Sequence, residues 1–548
     1  MSSKKNNFLV QGSILAIAGI LTRVIGIIYR IPLNNILGDG ISAYTIAYDI
    51  YSLFLLISSL SLPLAVSKIV AARMATGQVK NAAKTLKGAM VIAVAIGLTV
   101  SVCVYLFADK LAGLWKFPSA SLALKILAPA LFIMCILGVL RGFFQGLGSM
   151  IPTAISQIFE QIVNAVVSVL GAYLMFRAGD GIGKTIEYSA AGGTMGTLAG
   201  AGAALLFVIF VYMVYRRNFN RMMRRDKTHA EESYVDLGKV LVVTIFPVLL
   251  STTIYNISSI LDSAIYGNIM TKVFGFTEAQ YSPYWSIYSG HYRLLTTAPI
   301  AIASALSSAV VPSLIRSVTV GDYRLLKNKI GSSVKLTTII AIPCGVGLSV
   351  LAEPFITLLF GRGSLHSDDV LLMRLAVFVV IGYSFSTITN SILQGINKMK
   401  LPVIHSAIAL GAHLFILAGL QLLKTDVYGV AIADILFSVT VCILNSAAIK
   451  RHTGYRQEIT KTFILPLISA VIMGAGSFLA YTGMNRLMAL VSKSHLLTVA
   501  VPVLLAVIAA VIIYGALLMV FKVLSEEEIK MFPAGGRIAG ILKKVRLL

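Results

Sequence analysis

The 548-residue chain is 57% hydrophobic and only 12% charged, with a mean hydropathy of +0.87. A water-soluble protein carries about 25% charged residues, so half that fraction leaves too little polar surface for a body wetted on all sides. The net charge of +24, from 46 Lys+Arg against 22 Asp+Glu, would suggest nucleic acid in a soluble chain; in an apolar one, basic loops that fix membrane orientation explain it, and no nucleic-acid partner is expected.

Apolar runs of about 20 residues, the length a helix needs to cross a bilayer, recur at 8–36, 43–67, 86–108, 121–144, 152–177, 188–215, 238–268, 283–312, 332–360, 368–394, 402–423, 427–449, 462–484 and 496–522. They lack the alternation of barrel strands. The first leads directly into further runs, so it reads as a membrane helix and not as a cleaved leader. Fourteen spans put both termini on one side. Most of the basic residues then sort to that side, among them the Lys68–Lys87, Arg216–Lys239 and Arg316–Lys335 loops, Arg141, Lys398 and Lys400. This asymmetry places both termini in the cytoplasm.

The expected architecture is an all-α integral membrane protein of about 14 transmembrane helices, in two pseudo-symmetric six-helix lobes plus two C-terminal helices. The N-terminal lobe covers 1–215, a basic cytoplasmic linker 216–237, the C-terminal lobe 238–450, helices 13 and 14 the stretch 451–523, and a basic cytoplasmic tail 524–548. The linker opens with RRNFNRMMRRDK, Arg216 to Lys227, which sets topology or meets anionic lipid heads. The tail reads as a basic amphipathic helix on the membrane surface.

A short repeat supports two halves. FFQGLGSMIP, Phe143 to Pro152, follows span four, and ILQGINKMKLP, Ile392 to Pro402, follows span ten; Gln145-Gly146 matches Gln394-Gly395 at an offset of 249. Ala108-Asp109 matches Ala352-Glu353 at an offset of 244. Six helices separate the copies, so both halves insert with the same orientation, as in some transporters.

Charges inside spans carry the available chemistry, because an intramembrane Arg faces protein or a watery cavity. In span one, Arg23 and Arg30 are seven residues apart and point the same way, on a stripe with Gly12, Gly19 and Gly26. Arg30 is near the span's end, where snorkelling to the interface explains it equally well. In span eight, Arg293 lies beside His291, itself slight evidence for proton coupling, and Tyr281, Trp285, Tyr288 and Tyr292 recur at helical spacing. For Tyr281 and Trp285 an interfacial aromatic belt is expected; for Arg293, a cavity. Asp49, Glu160, Asp262 and Asp434 also fall within spans, each open to pairing with an Arg, binding a cation or carrying a proton. Cations from both halves suit an anionic ligand, phosphate above all, since the guanidinium fork donates two hydrogen bonds.

The remaining motifs are negative. GDGIGKT, Gly179 to Thr185, has Ala178 where a P-loop needs Gly. Cys103, Cys135, Cys344 and Cys442 lie in apolar segments without metal-ligand spacing. No HExxH or GxSxG pattern occurs, so neither an enzyme nor a resident metal or cofactor is expected.

LTRVIGIIYR in span one, LPLAVSKIVAARMATG (Leu62 to Gly77), RGFFQGLGSMIPTAISQIFEQ (Arg141 to Gln161) and VVPSL at the end of span eight resemble the polysaccharide-transporter branch of the multidrug/oligosaccharidyl-lipid/polysaccharide exporter superfamily. Within it the chain is similar to the stage V sporulation protein B group of Gram-positive bacteria, relatives of MurJ-type lipid II flippases. The resemblance implies fourteen helices around a central cationic cavity in the bacterial cell membrane. It also implies flipping of an undecaprenyl-diphosphate-linked saccharide, with alternating access driven by an ion gradient (Na+ or H+) or membrane potential. The flippases carry SRxxGxxRD in span one; Arg23 matches its first Arg, while at the second Arg's place this chain has Tyr29, with Arg30 one residue on. Arg293 matches a span-eight Arg and Asp262 a span-seven cation-site candidate. A further family Arg in span two is replaced by about Ile57.

The leading expectation is therefore a flippase for lipid II or a related wall precursor. Arg23 and Arg293 hold the diphosphate, Arg30 assists, and Lys68 and Arg73 near the cytoplasmic mouth either steer the headgroup or set topology. Alternatives are an exporter of another polysaccharide repeat unit, a cation-coupled drug antiporter, a non-transporting scaffold for cell-wall synthesis proteins and, last, a membrane glycosyltransferase.

Overall fold

The computed structural model describes residues 2–58, 62–226, 232–233, 239, 257–361, 366–491 and 495–523. Among these residues no β-strand occurs, and eleven helices are long and apolar enough to cross a membrane. The chain divides into two compact units, Met1–Ser286 and Ile287–Leu548. The first half of span seven, parts of 216–237 and the whole tail 524–548 lie outside the described residues.

The first unit contains α1 (Ser2–Leu37), α2 (Gly40–Ser58), α3 (Leu62–Ala75), α4 (Val79–Trp115), α5 (Ser121–Gly146), α6 (Ile151–Asp180), α7 (Thr185–Arg225), α8 (Ser258–Lys272) and α9 (Glu278–Ser286). Span two is covered by α2 and the start of α3, and span seven ends in α8. The expected basic loop begins as helix instead, because Arg216 to Arg225 prolong α7. Beyond it, the backbone N–H of Lys80 donates to Asp226 at 2.7 Å, and Arg73 pairs with Glu232 at 2.7 Å.

Lipid reverses the usual polarity of packing. Leu106, Leu206 and Phe210 are more than 60% exposed, whereas Ser168, Ser189 and Thr194 are fully buried. Without a hydrophobic drive between helices, close backbone approach and internal hydrogen bonds hold them together. The contact of α6 with α7 shows both. Gly192, Gly196 and Gly200 form one face of α7 at intervals of four, and a side chain there would strike Gly171, Ser168 and Asn164, and the Glu160 carbonyl of α6. The Ser168 hydroxyl donates to the Gly193 carbonyl at 2.7 Å. The sequence AAGGTMGTLAG permits this because glycine recurs every four residues on that face, and where Tyr188 begins it one turn earlier, α6 has Gly179 opposite.

The second unit opens with a π-helical turn, Ile287–Tyr292, and continues through α10 (Arg293–Val320), α11 (Tyr323–Val350), α12 (Ala352–Phe360), α13 (Ser367–Arg374), α14 (Ala376–Gly395), α15 (Lys400–Leu422), α16 (Asp426–Thr453), a π turn Thr460–Ile464, α17 (Leu465–Val491) and α18 (His495–Val520). Leu314, Ile330, Ile388 and Ile392 lie in one buried cluster of this unit. Span nine breaks at Leu351, where α11 gives way to α12.

The two copies of the Gln-Gly repeat end their helices in the same way. Leu147 donates to the Phe143 carbonyl, Gly148 to Gln145 and Ser149 to Phe144; Ile396 donates to Ile392, Asn397 to Gln394 and Lys398 to Leu393. The middle residue of each trio, Gly148 at φ +84° and Asn397 at φ +61°, is left-handed, a conformation that Gly and Asn tolerate.

Candidate functional site

Within the first unit, α1, α2, α3, α5 and α6 line an open cavity of about 390 Å³. Its α1 wall is Gly19, Thr22 and Arg23; α5 contributes Met134, Gly138, Arg141 and Gln145; α6 contributes Thr153, Gln157, Glu160 and Gln161, with Leu55 and Pro63 completing it. The spacing explains the polarity: Gln157, Glu160 and Gln161 repeat at three and four along α6, and Arg141 and Gln145 at four along α5. Gly26 continues the α1 stripe, and a Cβ there would lie 4.0 Å from the Gln161 carboxamide oxygen.

Arg141 is 8% exposed. Its Nη2 lies 2.8 Å from Glu160 Oε2, and its Nε donates to the Ser156 hydroxyl at 2.9 Å. Expected as an orientation-setting charge near a helix end, Arg141 is instead an internal residue of α5, tied by charge to α6. The pair neutralises itself, so the formal excess charge of the lining, two arginines against one glutamate, is a single cation. Carboxamides and hydroxyls supply the remaining polar groups, which both donate and accept hydrogen bonds.

The other expected residues fall as follows. Arg23 lies on the cavity wall, but Arg30 is outside that lining, next to buried Tyr29; seven residues carry it about 10 Å further along the axis, past the cavity. Lys68 is exposed on α3. Arg73 is half-buried and its charge is met by Glu232, which does not suit a steering role. Asp49 and Asp262 are buried on α2 and α8. Glu160 has the Arg partner that pairing predicts, while half-buried Asp434 accepts hydrogen bonds from the hydroxyls of Tyr288 at 2.6 Å and Tyr383 at 3.1 Å. Arg293 begins α10, directly after the π turn.

One expectation is overturned. Tyr281 and Trp285 do not form an interfacial belt: they are 1% and 0% exposed. Tyr281 packs edge-on against Phe117, ring centroids 5.2 Å apart, and Trp285 lies 5.0 Å from Tyr266. The Tyr281 hydroxyl is bonded to the Lys116 carbonyl, so both residues brace α8, α9 and the end of α4. Sequence reasoning did not place Arg141, Gln145, Gln157 and Gln161 in a site, although their helical spacing in RGFFQGLGSMIPTAISQIFEQ was a usable signal.

Residues 8–318 match the family described as polysaccharide biosynthesis protein, and residues 292–418 the family described as MatE. Among curated proteins, the lipid II flippase MurJ of Bacillus subtilis (strain 168) is 28% identical over 491 residues, 86% of this chain and 88% of that protein. Stage V sporulation protein B of the same organism is 25% identical over 97% of this chain and 99% of its own length. Among solved structures, a lipid II flippase MurJ in an inward closed conformation aligns with a TM-score of 0.65 at 16% identity, over 92% of this chain and 98% of that one. An inward-facing multidrug resistance MATE family transporter aligns with a TM-score of 0.63 at 14% identity, over 80% of this chain and 98% of that one. The fold is therefore that of these membrane transporters.

Proposed function

Since the chain belongs to the polysaccharide biosynthesis protein family, within the superfamily that includes the MATE transporters, we propose that it flips an undecaprenyl-diphosphate-linked cell-wall precursor, lipid II or a close relative, across the bacterial cell membrane. In this reading fourteen helices form two lobes that alternate access, and both termini are cytoplasmic. Arg23 from the first half and Arg293 from the second hold the diphosphate, with Arg30 assisting from about two helical turns beyond Arg23 and Lys68 adding attraction at the mouth. The prenyl chain stays in lipid. An ion gradient (Na+ or H+) or the membrane potential drives the cycle, with Asp49, Asp262 and Asp434 as candidates for the coupling ion; Glu160 is committed to Arg141.

The observation that carries the reading is the placement of Arg23 on a cavity wall rich in carboxamides and hydroxyls, with the second arginine already neutralised. A guanidinium on a wall of carboxamide and hydroxyl donors and acceptors suits an anionic group attached to sugars. A carrier of organic cations needs the opposite sign. The test is complementation: in cells depleted of their lipid II flippase, the wild-type chain should restore growth and Arg23→Ala should not. Failure of the wild type, correctly inserted and expressed, would turn the assignment toward a different lipid-linked repeat unit.

A further inference from the structure

The second unit holds a buried histidine–carboxylate pair that is not among the candidates for the coupling ion named above. His291, on the π turn Ile287–Tyr292, is 7% exposed. Its Nδ1 is 2.8 Å from Asp369 Oδ1, and its ring stacks on Phe360 with centroids 4.1 Å apart. Asp369, 1% exposed, lies in the first turn of α13; its second oxygen accepts the His366 backbone N–H at 3.3 Å and lies 3.8 Å from His366 Nδ1. The His366 side chain is 65% exposed. The His366 ring in turn accepts the Asp369 backbone N–H, so this exposed imidazole caps α13 and helps to fix the carboxylate that faces His291. A π turn is a costly local geometry that concentrates at functional positions, and here it aims His291 at Asp369.

Among the described residues the neighbouring charges are few. Besides Asp369, α13 brings Asp368, which accepts the Tyr428 hydroxyl at 2.8 Å, and exposed Arg374. From α12, which supplies Phe360, comes exposed Glu353. The π turn itself carries Tyr288, bonded to Asp434, and Tyr292, and α10 adds Arg293 at its first position.

We infer that His291 and Asp369 form a proton-binding site. A proton taken up by His291 leaves an imidazolium–carboxylate pair with Asp369 inside the unit. Histidine is the side chain suited to this, because its ordinary titration lies near neutral pH. The imidazolium stands two residues before Arg293, so it adds positive charge to the turn that presents that arginine. Proton and diphosphate then favour each other's binding, and by linkage the effect is reciprocal. This inference rests on the reading of Arg293 as a diphosphate-holding residue.

The test uses the full-length protein in nanodiscs, with lipid II as probe. A diphosphate esterified at both ends lacks the second ionisation that a phosphate monoester has near pH 6, so pH dependence in that range reports on the protein. Wild-type affinity should be about tenfold higher near pH 5.5 than near pH 8, and binding near pH 7 should take up protons, read with an indicator dye in weak buffer. His291→Gln and Asp369→Asn should each bind lipid II with a flat pH profile and without uptake. A wild-type affinity independent of pH, or a folded His291→Gln protein that keeps the dependence, would overturn the inference while leaving the flippase reading intact. If the wild type binds lipid II at no pH, the flippase reading fails and this site's coupling falls with it.

Discussion

The Arg141 guanidinium and the Glu160 carboxylate meet at 2.8 Å between α5 and α6, inside the wall of the cavity that Arg23 also lines. Each charge is enclosed largely because the other is present. Removing one leaves its partner stranded, which typically costs about 3–5 kcal/mol at a buried site; the partial exposure of Glu160 favours the lower end. Arg141→Ala should lower the melting temperature in detergent markedly, and adding Glu160→Gln should recover part of the loss. A double variant as unstable as the sum of the singles would mean that the pair is not coupled.

Close packing of α6 on α7 makes a second prediction. A Cβ at Gly192 would collide with the Gly171 carbonyl, whereas one at Gly202 meets nothing within 4 Å. Gly192→Ala should therefore destabilise by about 1–3 kcal/mol, the range for overpacking. Gly202→Ala, which replaces Gly by a better helix former, should be neutral or stabilising. Equal thermal shifts for the two would contradict this account of the interface.

How much of this was legible in the sequence follows from the same residues. Long apolar runs reveal helices because lipid demands them, and the Gln-Gly repeat marks two turns that prove alike bond for bond. Helix breaks were harder: Glu353 and Pro354 directly follow the interruption at Leu351, but within the long apolar run 332–360 they read as part of one span, and the π turn at Ile287–Tyr292 has no compositional signature. Arg23 was legible because a charge in an apolar run stands out. Arg141 was not, because a basic residue near a predicted helix end reads as a topology signal, and its partner Glu160 lies on the next helix. Tyr281 and Trp285 misled for a related reason: aromatic spacing alone cannot tell a membrane interface from a core.

The repeat turns give a third prediction. Asn397 holds the left-handed position that Gly148 holds in the other copy. Asn397→Gly should be tolerated, whereas Asn397→Val should cost about 1–2 kcal/mol, the penalty for a side chain forced into that region. Thermal unfolding of the two variants beside wild type checks it; equal stability of Val and Gly would contradict it.

Outside the spanning segments, Glu278 is pH-sensitive. Burial pushes its carboxyl above the ordinary range, and the hydroxyl and backbone N–H of Ser119 pull it part of the way back. A group with a raised folded pKa contributes stability below its unfolded value and loses it as pH rises through the folded one. Between about pH 4 and pH 7 the stability of Glu278→Gln should therefore improve relative to wild type. A difference that stays constant or moves the other way would refute the burial argument.

The central claim is that Arg23 and Arg293 hold the diphosphate of a lipid-linked saccharide during its passage. The most direct measurement is the rate at which labelled lipid II becomes accessible on the opposite face of proteoliposomes containing wild type, Arg23→Ala or Arg293→Ala. A charged hydrogen bond is worth about 1.5–3 kcal/mol, so each variant should flip about tenfold to a hundredfold more slowly than wild type. Both variants, folded and inserted, flipping at the wild-type rate would contradict the claim.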